Sequence, residues 1–118
     1  MAYIADYKTG RVAVTQAKEN WQLRFLALAA CRTYGLTEAA VAIIQVGVDG
    51  ESWYDVASLD AADLNETAEE LRVLVERIKL LRAQLEAGAT PDVVTGEHCR
   101  RCSALPHCPG HTALLRRL

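Results

Sequence analysis

No stretch of this chain is long and apolar enough to cross a membrane. The longest, Ala39 to Val48, has Gln45 inside it and falls far short of the ~20 residues a spanning helix needs. No secretory leader is readable, because Asp6 and Lys8 break the amino-terminal apolar run. There is no internal repeat and no low-complexity tract. These absences point to a cytoplasmic chain with no membrane partner. Its 118 residues make one domain or part of one, and 51% apolar with 24% charged residues fits a globular chain and excludes wholesale disorder.

Net charge is small, at −2, but unevenly spread. Residues 97–118 carry Arg100, Arg101, Arg116 and Arg117 against Glu97, a formal +3, which leaves −5 for residues 1–96. A basic tail on an acidic body suits an anionic partner such as nucleic acid, although arginines are common on any exposed helix. Of the four cysteines, Cys99, Cys102 and Cys108 lie within ten positions and Cys31 stands apart. Without a secretion signal, such a cluster reads as metal ligands before disulfides.

The pattern predicts alternating strands and helices. Residues 2–6 read as a strand and Gln16 to Tyr34 as a helix, with Trp21, Phe25, Leu28 and Ala29 as its apolar stripe, widened by Leu26 and Ala30. Gly35 is a natural stop. Residues 40–48 read as a strand buried on both faces, Asp49-Gly50 as a hairpin turn, and Glu51 to Val56 as the returning strand. Trp53 and Tyr54 read as packing residues. From an N-cap at Asp60 a long helix runs to Gly88, with Leu64, Leu71, Ile78 and Leu85 seven apart and Leu74 and Leu81 between them. That helix packs across the sheet and carries the cysteine segment; a coiled-coil oligomer is the competing reading. A loop begins at Thr90-Pro91-Asp92, residues 98–111 are too rich in turn formers for regular structure, and a short helix closes the chain from Thr112.

Two constellations carry chemistry. In Ile4-Ala5-Asp6-Tyr7-Lys8-Thr9-Gly10, Asp6 and Lys8 are two apart, so on a strand they share a face. A carboxylate beside an ammonium can hold a divalent cation and steer a water, the two tasks of metal-assisted phosphodiester cleavage. The same string also reads as a strand entering a turn with two solvated charges. Cys99-x2-Cys102 is a tight chelating pair, and Cys108 offers a third thiolate. A fourth ligand could be His98, His107, His111, Cys31 or a group from another chain. Zinc and an iron–sulfur cluster both remain open on spacing, and Cys31 sits where a small buried hydrophobe is the ordinary role.

The order of these parts, the Asp-Tyr-Lys-Thr-Gly strand, a helix opened by Gln22-Leu23-Arg24-Phe25-Leu26-Ala27, and a closing Cys99-x2-Cys102-x5-Cys108, resembles the carboxy-terminal half of a RecB-type nuclease of the PD-(D/E)XK superfamily. The likeness is to the branch that carries an iron–sulfur cluster, such as the CRISPR-adaptation exonucleases and AddB-type helicase–nucleases. It implies an α/β fold with a mixed central sheet flanked by helices, a restriction-endonuclease-like core over 1–96 and a cysteine-cluster tail over 97–118. It also implies metal-dependent hydrolysis of DNA. By the same resemblance Asp6 is a metal-binding acid, the Tyr7 backbone carbonyl faces the metal, Lys8 positions the attacking water, and Gln22 lies near the active site. Cys99, Cys102 and Cys108 are then ligands of a 4Fe–4S cluster, with Zn2+ as the alternative, and the ion at Asp6 is Mg2+ or Mn2+.

Two departures qualify the likeness. Leu26 stands where the family's helical motif has tyrosine, and the family's other metal-binding acid and first cluster cysteine have no counterpart here. The expectation is therefore a fragment, or a half-site completed by an upstream segment or a partner chain. From a different class comes the reading of a non-catalytic module that binds nucleic acid or protein and carries a cysteine-bound metal.

Overall fold

In this computed structural model, residues 1–9, 14–47, 50–90 and 92–111 are described. The Asp49 half of the expected turn, Gly10, Pro91, Arg116, Arg117 and the expected helix from Thr112 lie outside them. The chain divides into two compact units, Met1–Val73 and Leu74–Leu118, a boundary that falls inside one long helix.

The first unit opens with strand β1 (Ala2–Thr9), followed by a 3-10 turn (Ala17–Glu19) and helix α1 (Trp21–Tyr34). Strands β2 (Ala39–Val46) and β3 (Ser52–Leu59) come next, and helix α2 (Ala61–Glu86) begins in this unit. The three strands form one sheet in the order β1-β2-β3, with β1 parallel and β3 antiparallel to β2. A parallel neighbour needs a crossover, and α1 supplies it, packing on β1 and β2. The expected α/β architecture, a mixed sheet flanked by helices, is what forms.

Register decides which side chains reach the covered face. The rows across it are Ala2–Ala39–Leu59, Ile4–Val41–Ala57, Asp6–Ile43–Asp55 and Lys8–Gln45–Trp53. The first two rows are apolar, and their Ala39, Val41 and Leu59, with Ile43 from the third, are buried together with Leu23, Ala27, Leu28 and Cys31 of α1 and Leu64 of α2. The last two rows turn polar. Asp55 Oδ2 accepts from the backbone N–H of buried Ala17 at 2.6 Å, which ties the 3-10 turn to β3. On the opposite face Tyr3, Tyr7, Tyr54 and Val56 are exposed around small Ala5, Ala40 and Ala42.

Helix ends follow local chemistry. The Asn20 side chain accepts from Leu23 N at 3.2 Å, so α1 starts at Trp21 and not at Gln16. Gly35 and Gly88 both adopt φ > 0, at 65° and 85°, and end their helices as the sequence predicts. Asp60 Oδ1 accepts from Ala62 N and Asp63 N, while Asp63 Oδ2 accepts from Asp60 N, a reciprocal cap on α2. Arg24 joins α1 to α2: its Nε donates to Thr67 Oγ1 at 3.1 Å, and Nη2 lies 2.6 Å from Glu70 Oε2.

Four expectations change. The apolar stripe of α1 is rotated: Trp21, Phe25 and Leu26 are 40–51% exposed, and the buried face is Leu23, Ala27, Leu28 and Cys31. The helix is apolar around most of its circumference, so periodicity does not choose between faces, and the smaller residues take the close approach to the sheet. Strand β2 is buried on one face and half-buried on the other, because α1 covers a single face. Strand β3 runs to Leu59, and Tyr54 is exposed with Trp53 half exposed, so neither is a core residue. On α2, Leu64 is buried and Leu71 half-buried, while Leu74, Ile78 and Leu85 are each 47% exposed.

In the second unit α2 continues to Glu86, and the cysteine segment folds as short 3-10 turns, Glu97–Arg101 and Leu105–His107. A Cβ on Gly110 would lie 2.6 Å from Val93 Cγ2 and 3.1 Å from Thr95 Cγ2, so any larger residue there must push those side chains aside.

Two stability tests follow from burial. Leu23→Ala should cost about 2–5 kcal/mol in urea unfolding, whereas Leu26→Ala, on the outward face of the same helix, should cost roughly 1 kcal/mol or less. Asp55→Ala should cost ~1–3 kcal/mol by stranding the buried Ala17 N–H, and Asp55→Asn, which keeps an acceptor, should recover most of it.

Candidate active site

The polar end of the covered face is where β1 finishes and α1 begins. Asp6 and Lys8 point to that face together, as a two-residue spacing on a strand requires. Lys8 Nζ stands 2.7 Å from Asp6 Oδ2, and the two side chains are 29% and 15% exposed. The same Nζ donates to Gln22 Oε1 at 2.9 Å. Gln22 is the second residue of α1, placed there by the Asn20 cap. Three side chains singled out from sequence, Asp6, Lys8 and Gln22, thus meet in one chain of contacts.

Asp6 Oδ2 is buried and meets the Lys8 ammonium at 2.7 Å, an ion-pair contact whose hydrogen-bond geometry is poor. An anionic oxygen in that condition suits a hard cation as one ligand of several. Among the described residues, no three His, Cys, Asp or Glu side chains converge as a metal site. Asp55, the carboxylate in the same row as Asp6, is engaged with Ala17 N.

The backbone of β1 adds a further group. Ala2 N donates to Glu38 O, so residues 2, 4, 6 and 8 turn their peptide groups to β2, and the alternate residues turn theirs the other way. The Tyr7 carbonyl therefore faces the outer edge of the sheet, where no strand pairs among the described residues. α1 directs its N-terminus, the positive end of its dipole, toward the Lys8–Gln22 contact.

Sequence reasoning passed over two residues here. Gln45, read only as an interruption in an apolar run, is buried in register with Lys8. Asp55 holds the turn that leads into α1. Strand parity was the signal for both: Gln45 lies two positions from buried Ile43, and Asp55 two from partly buried Ala57 and four from buried Leu59.

In the second unit none of the cysteines forms a disulfide. Cys99 Sγ accepts from Gly96 N at 3.3 Å, His98 Nε2 lies 3.0 Å from Val94 O, and Cys102 is exposed. The described residues do not bring the three thiols into a single ligand set. Cys31 is buried in the first unit, its Sγ donating to Glu38 O at 3.4 Å, in the small-hydrophobe role expected of it.

No described helix is long and apolar enough to cross a membrane. No curated protein and no solved structure matches the chain. A family model described as the PD-(D/E)XK nuclease superfamily matches residues 1–109, which takes in both β1 and the cysteine segment. The chain belongs to the PD-(D/E)XK nuclease superfamily.

Proposed function

We propose that this chain is the Asp-x-Lys half of a metal-dependent DNA nuclease of the RecB type. Superfamily members are generally nucleases and typically use Mg2+ or Mn2+. The observation that carries the reading is the Asp6–Lys8–Gln22 contact chain at the junction of β1 and α1. A lysine held between a carboxylate and an amide oxygen keeps its ammonium directed at one spot. There it can orient a water and stabilise the charge that develops on a phosphate. Gln22 is the positioning residue: it fixes Nζ when Asp6 turns to another partner. The N-terminus of α1 favours the same anion.

Asp6 and the Tyr7 carbonyl are the groups of this chain that fit a hard cation, which when bound would supply Lewis acidity. Lys8 neutralises Asp6, so the pair brings no net charge to hold a dication. The remaining ligands come from outside the described residues, along the free edge of β1, from an upstream segment or a partner chain. At the cysteine tail, Cys99, Cys102 and Cys108 form part of an iron–sulfur or zinc site that needs further ligands and local rearrangement to close.

Asp6→Ala and Lys8→Ala should each reduce manganese-dependent cleavage of linear DNA by on the order of 10²-fold or more, with circular dichroism unchanged. Gln22→Ala should cost roughly tenfold to a hundredfold, in kcat and not in KM. Binding of DNA without cleavage under any metal, once the completing segment or partner chain is supplied, would move the reading to the non-catalytic module. For the tail, protein purified without oxygen should contain iron with labile sulfide, or zinc, and Cys99→Ala or Cys102→Ala should lose it. Metal-free wild type by elemental analysis would remove this part.

A further inference from the structure

α1 exposes an aromatic stripe that starts beside the candidate site. Trp21 is 47% and Phe25 51% exposed, one turn apart on one face of the helix. Gln22, which follows Trp21 directly, touches Lys8. At 100° per residue Phe25 falls between Trp21 and Gln22 around the helix, so the two rings and the site share one side of α1.

The Trp21 ring is also held. The Arg24 guanidinium sits 4.9 Å from its centroid, and that guanidinium is fixed in turn by Thr67 and Glu70. Arg24 is thus spent on internal partners, and what it does for Trp21 is lock the plane of the indole. A ring immobilised on one side and exposed on the other loses little entropy when a flat partner stacks on it. An exposed tryptophan with a restrained plane, one residue from the glutamine that holds Lys8, suits a nucleobase better than an aliphatic side chain.

We propose that Trp21, extended by Phe25, is a stacking platform for an unpaired base next to the phosphate at Lys8. On this basis the site prefers single strands or frayed ends over closed duplex. The inference rests on the nuclease reading above for its substrate class, and deepens it by naming strandedness. Stacking needs an unpaired base with an accessible face, which a closed duplex buries between its neighbours.

Trp53→Phe leaves Trp21 as the sole tryptophan. In buffer without added divalent metal, a short oligothymidylate should quench its fluorescence and a blunt duplex of equal length should not. By fluorescence anisotropy, Trp21→Ala should weaken oligothymidylate binding by on the order of 5- to 150-fold, Trp21→Phe by much less, and duplex binding should hardly change. Equal loss on both nucleic acids, or none on either, would overturn the platform. So would a wild type that binds neither, or a dimer in sedimentation that Trp21→Ala dissolves, which would make the stripe an interface between copies. The nuclease reading fails separately: in the completed site Asp6→Ala should keep oligothymidylate binding while losing cleavage, and a completed wild type that binds without cutting would sink catalysis and leave the platform standing.

Discussion

The pairing of Ile4 with Val41 is the constraint on which the rest of this structure depends. Once that row is set, strand parity sends Ala2, Ile4, Asp6 and Lys8 to the helix-covered face and Tyr3, Ala5, Tyr7 and Thr9 to the other. A slip of one residue would place Tyr3 and Tyr7 under α1 and turn Asp6 and Lys8 outward. The apolar rows pay for that register, since Ala39, Val41 and Ile43 are fully buried by it. The charged pair gains its position from a neighbour's packing and does not have to fund its own.

The partial burial of that pair sets its character. An exposed ion pair contributes little to stability, and a fully buried one rarely repays its desolvation. Asp6 and Lys8 lie between these limits, with Gln22 absorbing part of the ammonium's hydrogen-bonding demand. Such a pair is a poor device for stability and a good one for holding a side chain in place while its partner remains free to change. By contrast Glu69 and Arg72, on the outer surface of α2, make a two-pronged contact that lowers the Glu69 carboxyl's pKa through hydrogen bonding and charge. With both side chains some 60% exposed, that pair is ordinary surface chemistry.

Much of this was legible in the sequence because it depends on local chemistry. Asp60, Gly35 and Gly88 mark helix ends through capping and left-handed backbone, and each acts where the sequence places it. The two-residue spacing of Asp6 and Lys8 required them to share a face, whatever the rest of the fold. The face of α1 was not legible, because Leu23, Phe25, Leu26, Ala27 and Leu28 supply apolar residues in nearly every direction, and only the shape of the sheet chooses among them. Size misleads here: the largest side chains drew the eye to the stripe that the structure exposes. Asp55 and Gln45 were missed for the opposite reason, since their importance lies in partners 38 positions away for Asp55 and across the parallel ladder for Gln45.

The rotated helix changes what the exposed surface means. A stripe of Trp21, Phe25 and Leu26 would be unremarkable in a core, where apolar bulk needs only to be filled. On the outside it has a hydration cost, in contrast to Leu23 and Ala27, which the sheet covers completely. Arg24 sharpens the point. A guanidinium anchored by Thr67 and Glu70 would stabilise the α1–α2 contact without any aromatic beside it, yet it lies against the indole and restrains the ring. The cation–π contact stabilises the fold by itself, and it also leaves one half-exposed ring restrained in a defined orientation beside the lysine that Gln22 holds.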